Sequence, residues 1–243
     1  MLSKAKIKFI KSLQLKKYRK QEQCFVVQGA KSVLELLASD FDVVTVLGTE
    51  SFLETVRSPK KAEVIALSEK ELAGLSEFQT NDSALAVARL KNNDALLIRD
   101  NEFALVLDDI RDPGNLGTII RTADWFGIHQ IIASSETADF YNPKVISATM
   151  GSFVRVKMFY TDLEQYLSGC GRPIFGAYLN GEDVHKLDFG RGGLILIGNE
   201  SRGIAPELEQ FVTNKITIPR YGSAESLNAG IATAVILDNL RRR

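Results

Sequence analysis

Histidine and cysteine are scarce in this chain of 243 residues, with two of each: His129, His185, Cys24 and Cys170. The four are scattered without paired spacing, so a zinc site is not expected and no metal is assigned. The cysteines lie far apart. Free thiols in a reducing compartment, the cytoplasm, are expected in preference to a disulfide. Long apolar runs are lacking as well. No stretch approaches the roughly 18 uncharged apolar residues of a membrane helix. The first twenty residues are basic with no continuous apolar block, which makes a poor signal peptide. No membrane partner is expected. Net charge is zero, from 30 basic and 30 acidic residues, which taken alone argues against a nucleic-acid binder. Internal repeats, low-complexity tracts, a Ser-His-Asp arrangement and a P-loop are also absent.

The composition that remains, 45% hydrophobic and 25% charged, can build the cores of one or two ordinary domains. Charge is unevenly placed. Residues 1–20 carry eight Lys or Arg (Lys4, Lys6, Lys8, Lys11, Lys16, Lys17, Arg19, Lys20) and no acid, and the chain ends in Arg241, Arg242 and Arg243. Two readings stand. The basic ends meet a polyanion, or the N-terminal segment is a solvated amphipathic helix with Ile7, Ile10 and Leu13 packed inward.

Strand and helix patterns alternate in two blocks, which predicts an α/β protein. In the first block, about 23–90, "CFVVQG", "FDVVTVLG", "AEVIALS" and "ALAVARL" read as strands. "AKSVLELLAS", "SFLETVRS" and "SEKELAGLSE" read as helices. The polar stretch "KNNDALLIRDNE" (91–102) reads as a linker. In the second block the strands are "FALVLDDI", "HQIIAS", "FVRVKMFY", "RPIFGAYL", "GLILIGN" and "KITIPR". The helices there are "NLGTIIRTADWFG", "NPKVISATMG", "LEQYLSG" and the terminal run from Ala229. Such alternation implies a parallel sheet covered on both faces. Ligands of such sheets bind beyond the carboxyl ends of the strands.

Three strand-end loops are therefore informative. In "ALVLDDIRDPGNLGTIIRTADWFG" a strand runs into Asp108 and Asp109, a Pro113-Gly114 turn, and a helix expected from about Asn115, with Arg121 less than two turns along it. The glycines at 114 and 117 have the wrong spacing for a dinucleotide fingerprint. In "LILIGNESRGI" Gly198 permits close backbone approach and Glu200 stands at the end of a buried strand. In "ITIPRYGSAESLNAG" the loop delivers Ser226 and Asn228 to a helix start, where one of the two can serve as cap. Each loop also has a plain reading as a capped helix or a surface turn.

Together and in order, "NLGTIIRTADWFG", "ILIGNESRGI" and "ITIPRYGSAESLNAGIATAVIL" resemble the three signature motifs of the SpoU (TrmH-like) branch of the SPOUT RNA methyltransferases. The resemblance spans about 103–243. Residues 23–90 look like that family's N-terminal substrate-binding domain, which is similar to the ribosomal protein L30e fold. The opening "SKAKIKFIKSLQLKKYRKQEQCFVVQGAKSV" looks like members that act on ribosomal RNA. The resemblance implies a basic segment at 1–22, an L30e-like α/β domain at 23–95, and at 96–243 a parallel-sheet catalytic domain with a C-terminal trefoil knot. It implies methyl transfer from S-adenosylmethionine to a ribose 2′-hydroxyl, by a homodimer. Ribosomal RNA of the 23S type is favoured over transfer RNA. The alternatives are the same reaction on transfer RNA, a non-catalytic RNA-binding or assembly factor, or nucleotide binding by "DPGNLGT".

Carried over by position, the family pattern puts the cofactor against Gly198, Ile218 and Leu227. It puts Asn115, Arg121, Glu200, Ser226 and Asn228 around the reacting hydroxyl. Arginine stays protonated in proteins, so electrostatic activation rather than proton abstraction is its expected role. The chain departs from the family at Ser201, where Gly is usual, and at Arg220, where Met is usual. It also reads "SLNAGIA" in place of a sequence nearer "SLNVSVA".

Overall fold

The computed structural model describes residues 2–56, 61–75 and 83–242. Arg243 of the C-terminal basic run lies outside the described residues, as do the last two residues of each of the helical stretches 51–58 and 68–77. Two compact units form. One is Met1–Asn92 with Asp139–Val154, and the other is Asn93–Ala138 with Arg155–Arg243.

The first unit opens with α1 (Lys4–Ser12), capped by the Ser3 hydroxyl, which accepts from the Lys6 N–H. Ile10 and Leu13 are buried to 1% and 0% exposure, as the amphipathic reading requires. The segment breaks into two helices, although neither Pro nor Gly interrupts it. The carbonyls of Leu13 and Gln14, which a continuing helix would give to later amides, accept instead from the Arg19 guanidinium at 2.9 and 2.7 Å. A second helix, α2 (Lys16–Glu22), follows, ended by Gln23 in the left-handed region. Next come β1 (Cys24–Gln28), α3 (Ala30–Leu37), β2 (Val43–Gly48), α4 (Glu50–Thr55), β3 (Glu63–Ala66), α5 (Glu69–Leu75) and β4 (Ala84–Arg89). The strand order is β1-β4-β2-β3, with β4 antiparallel to both neighbours and β2 parallel to β3. Val26, Leu47, Leu85, Val87 and Leu72 form a core with Ile10 and Leu13.

The second unit begins at β5 (Phe103–Leu107), followed by α6 (Pro113–Trp125) and β6 (Gln130–Ala133). After Ala138 the chain passes into the first unit, where α7 (Pro143–Ala148) packs on β1. It returns to build β7 (Lys157–Tyr160), α8 (Leu163–Ser168), β8 (Ile174–Asp183), β9 (Gly193–Ile197), α9 (Pro206–Glu209), β10 (Asn214–Thr217) and α10 (Ala229–Arg241). The sheet order is β10-β8-β9-β5-β6-β7, and every pair is parallel. Ala104, Leu105, Val106 and Leu107 are all at 0% exposure, so both faces of the central strand are covered. Each of the larger side chains contributes about 1.5–3 kcal/mol by its burial.

Two sequence expectations change here. The stretch "FVRVKMFY" is not one strand. Phe153 and Val154 lie in a 3-10 turn, and β7 starts only at Lys157. Met150 and Gly151 both have positive φ and reverse the chain. Phe153 then meets Phe25 edge-on in an aromatic cluster with Phe41. The stretch 91–102 contains no helix or strand, but it is held down. Ile98 belongs to the second unit's core, and the Arg172 guanidinium donates to the carbonyls of Ile98 and Arg99 and to the Asp100 carboxylate.

Candidate functional site

All eight candidate site residues lie in the second unit, and its fold accounts for their placement. At the end of β5 the helix begins at Pro113, not near Asn115. Asp112 is the cap, its carboxylate accepting from the Asn115 N–H at 2.8 Å. Pro at the first helical position needs no partner for a missing N–H. The Asn115 side chain is thereby released from capping. Its amide nitrogen donates to Glu200 Oε1 at 2.6 Å.

Glu200 stands on a closed loop. Asn199 and Gly203 exchange backbone hydrogen bonds of 3.0 and 2.9 Å. Asn199 Oδ1 accepts from the N–H groups of Ser201 and Arg202. Gly198 is required by this closure, because a Cβ there would lie 2.3 Å from the backbone of Gly203 and of Ile204. Ser201 in place of the usual glycine is accommodated: it is not among the non-glycine residues with positive φ, so the loop asks for no special backbone freedom there. Arg220 is exposed, and among the described residues its guanidinium bonds only the Ala224 carbonyl, at 3.4 Å.

The third loop runs from Ile218 to Asn228 without helix or strand. Of the two candidate caps, Asn228 does the capping. Its Oδ1 accepts from the N–H groups of Gly230 and Ile231 at 2.9 and 3.2 Å. Its Nδ2 donates to Asn115 Oδ1 at 2.7 Å. The first turn of α10 lies close against α6, since a Cβ on Gly230 would be 3.0 Å from Thr118 Cγ2. The three loops are thus joined by one directed chain of hydrogen bonds. It runs from the N-terminus of α10 through Asn228 and Asn115 to the Glu200 carboxylate. The partially positive helix end and the acceptor-only carboxylate leave each amide a single workable orientation.

Arg121 and Ser226 stand apart from this chain. Both are exposed, and neither side chain makes a hydrogen bond or ion pair with any described residue. Arg121 lies three residues beyond Thr118, on the same side of α6. Leu227 is 48% exposed and Ile218 is half-buried.

Sequence reasoning noted the loops of Asp109 and Asn199 but gave neither residue a site role. Asp109 has a φ of +58°, and its N–H bonds Ser134 Oγ at 2.9 Å. Its carbonyl accepts from Asn199 Nδ2 at 2.8 Å, and its carboxylate pairs with Arg111 and Arg202. Asp108 beside it is buried, and burial pushes its carboxyl above the usual range, partly offset by the Ala205 N–H it accepts at 2.7 Å. Two adjacent acids ending a fully apolar strand were the available signal. Among the described residues no cluster of His, Cys, Asp and Glu could hold a metal, and no helix is long and apolar enough to cross a membrane. Cys24 and Cys170 are free.

The family model described as the SpoU rRNA methylase family matches residues 102–238. The chain belongs to the SpoU rRNA methylase family. All eight residues of the candidate site fall inside that span. An MRM3-like substrate binding domain matches residues 4–86. Among SpoU relatives, the chain is 30% identical to the Bacillus subtilis 23S rRNA (guanosine-2′-O)-methyltransferase RlmP, over 97% of this chain and 96% of that protein. A TrmH-family structure from Porphyromonas gingivalis is 37% identical, with a TM-score of 0.90, covering 99% of this chain and 98% of the other. An AdoMet-bound rRNA methyltransferase from Sinorhizobium meliloti is 28% identical, with a TM-score of 0.89, covering 99% and 95%.

Proposed function

We propose that this chain methylates a ribose 2′-hydroxyl of large-subunit, 23S-type ribosomal RNA, with S-adenosylmethionine as donor. The observation that carries this reading is the hydrogen-bonded chain Asn228–Asn115–Glu200, which joins the three family-motif loops at the strand ends. The loops suit an adenosyl sulfonium. Ile218 and the exposed Leu227 offer apolar surface for an adenosine, Gly198 keeps the middle loop closed, and Glu200 offers a carboxylate to a cationic centre. When bound, that donor supplies an activated methyl carbon, so a C–O bond forms as the S–C bond breaks and the hydroxyl proton is released. The protein's share is then mostly positioning and charge placement. Arg121, whose side chain has no partner among the described residues, binds the phosphate next to the target ribose through its planar fork. Its positive charge eases ionisation of the hydroxyl while the guanidinium stays protonated. Asn115 and Asn228 are held in one orientation by Glu200 and the α10 amides, and Ser226 faces the ribose.

Further parts of the reading go with this one. Residues 1–22 form a basic segment, 23–95 an L30e-like RNA-binding domain and 96–243 the catalytic domain. A trefoil knot involves the 218–228 loop. In support, the chain leaves β10 at the sheet edge, yet α10 packs on α6, which follows a strand three positions inward. A cytoplasmic homodimer is formed through α6 and α10, where Trp125 (84%) and Ile231 (52%) expose large apolar side chains.

The test supplies labelled S-adenosylmethionine with unmodified ribosomal or transfer RNA. Label enters ribosomal RNA, and Arg121→Ala lowers kcat about 10²–10³-fold with cofactor affinity kept. Label in transfer RNA alone would reassign the substrate. Neither label nor cofactor binding would sink the activity. Light scattering of Trp125→Glu checks the dimer, with a monomer expected.

A further inference from the structure

The eight basic residues of the N-terminal segment do not share one fate. Arg19 is 2% exposed, and its guanidinium binds Asp139 at 2.6 Å together with the Leu13 and Gln14 carbonyls. Lys6 is paired with Glu63. The other six, Lys4, Lys8, Lys11, Lys16, Lys17 and Lys20, are all exposed. No acid precedes Glu22 to neutralise them. Lys4, Lys8 and Lys11 follow one another at steps of four and three, a single stripe along α1, while Ile10 on the other side goes to the core. On α2, Lys16, Lys17 and Lys20 are exposed while Arg19 is buried.

We propose that α1 and α2 form a phosphate-contacting ridge for the RNA substrate, with Arg19 as a positioning residue that sets the two lysine stripes at a fixed angle. This rests on the RNA-methyltransferase reading. The guanidinium bonds the turn between the helices and Asp139 at once, so neither helix swings without breaking a buried ion pair. Lysines are compact point charges without bidentate geometry, which suits contact with a backbone of phosphates irrespective of sequence. An RNA fits the ridge better than a lipid surface, because the segment's apolar side chains Ile10 and Leu13 are already in the core and Leu15 alone is more than half exposed there (60%).

The experiment measures binding of in-vitro transcribed large-subunit ribosomal RNA against salt concentration, using the full chain. The variant Lys8→Gln/Lys11→Gln/Lys20→Gln is compared with Lys144→Gln/Lys157→Gln/Lys186→Gln, which removes the same charge elsewhere. The ridge variant is expected to bind about tenfold more weakly or worse. The slope of log K against log salt becomes shallower by about 2–3, at roughly 0.7–0.9 per lost phosphate contact. Its KM for RNA rises and its cofactor affinity is kept. The comparison variant keeps the wild-type slope. Arg19→Lys retains the charge but not the fork, and weakens RNA binding. If it melts early, the lysine variants alone decide. Equal affinity and slope in the ridge variant, in a wild type that methylates RNA, would overturn the ridge and leave the activity standing. A wild type that methylates no RNA, but whose RNA binding still collapses in the ridge variant, would sink the activity and keep the ridge. Loss of binding to phosphatidylserine vesicles with RNA binding intact would overturn the ridge in favour of a membrane surface.

Discussion

At the N-terminal end of the chain six lysines project into solvent. At the C-terminal end, Arg241 donates to the carbonyls of Phe126 and Gly127, which close α6, and Arg242 pairs with Asp238 one turn back. In sequence the two ends look alike, and a polyanion suits either. In structure the division follows side-chain type. Arginine, with several donors in a rigid fork, satisfies backbone carbonyls and carboxylates of its own fold. Lysine, with one hydrated ammonium on a flexible stem, is left outside except at Lys6, which pairs with Glu63. Arg19 makes the same point from inside the lysine-rich end. At these two ends a count of positive charge therefore overstates the surface available to a partner, and the described arginines Arg19, Arg241 and Arg242 should be discounted first.

The largest expected effect breaks this contrast at its firmest point. Arg19→Met leaves Asp139 without its partner and two turn carbonyls without donors, and should lower unfolding free energy by about 3–5 kcal/mol. Denaturant unfolding checks this, and a loss under about 1 kcal/mol would mean the guanidinium does not hold the turn. Arg241→Ala should cost about 1 kcal/mol, since its bonds to the end of α6 are exposed. Arg242→Ala, and the triple lysine-to-glutamine change on α1 and α2, should each stay within about 0.5 kcal/mol. A large loss from the lysines would make them structural and erase the difference between the ends.

A buried acid sharpens the comparison from the opposite sign of charge. The folded state raises the Asp108 pKa by burial. Its contribution to stability is therefore fully present below the unfolded value of about 4 and is lost as pH rises through the higher folded value. Asp108→Asn keeps an acceptor for Ala205 and removes that dependence. Relative to the variant, the wild type should lose stability as pH rises above about 4, by thermal melts across pH.

Much of the fold was legible because β-branched and aromatic runs bounded by turn residues mark strands directly, as in "CFVVQ" and "GLILI". The three strand-end loops were legible for the same reason. Asn228 as cap was one of two options, decided by the helix starting at Ala229 immediately after it, with Ser226 two residues further back. Less visible was the cap at Asp112, because Pro113 and Gly114 between it and Asn115 look like a turn rather than the first turn of a helix. The burial of Arg19 was invisible, since its partner Asp139 lies 120 positions away. Phe153 read as strand because an aromatic-valine run looks alike whether it joins a sheet or an aromatic cluster. The short α9 carried no periodicity at all.

The passage of Asp139–Val154 into the first unit also orders events during synthesis. The ribosome releases residues 1–92 well before Tyr141, Phe153 and Asp139 exist. At about 5–20 residues per second, the 62 residues from Asn93 to Val154 take roughly 3–12 s. For most of that interval Arg19 lacks the Asp139 carboxylate and Phe25 lacks the Tyr141 ring, and to its end both Phe25 and Phe41 lack Phe153. The N-terminal unit is thus a structure that its own gene completes late, exposed to chaperones or misdocking while the first two strands of the six-stranded sheet are being made.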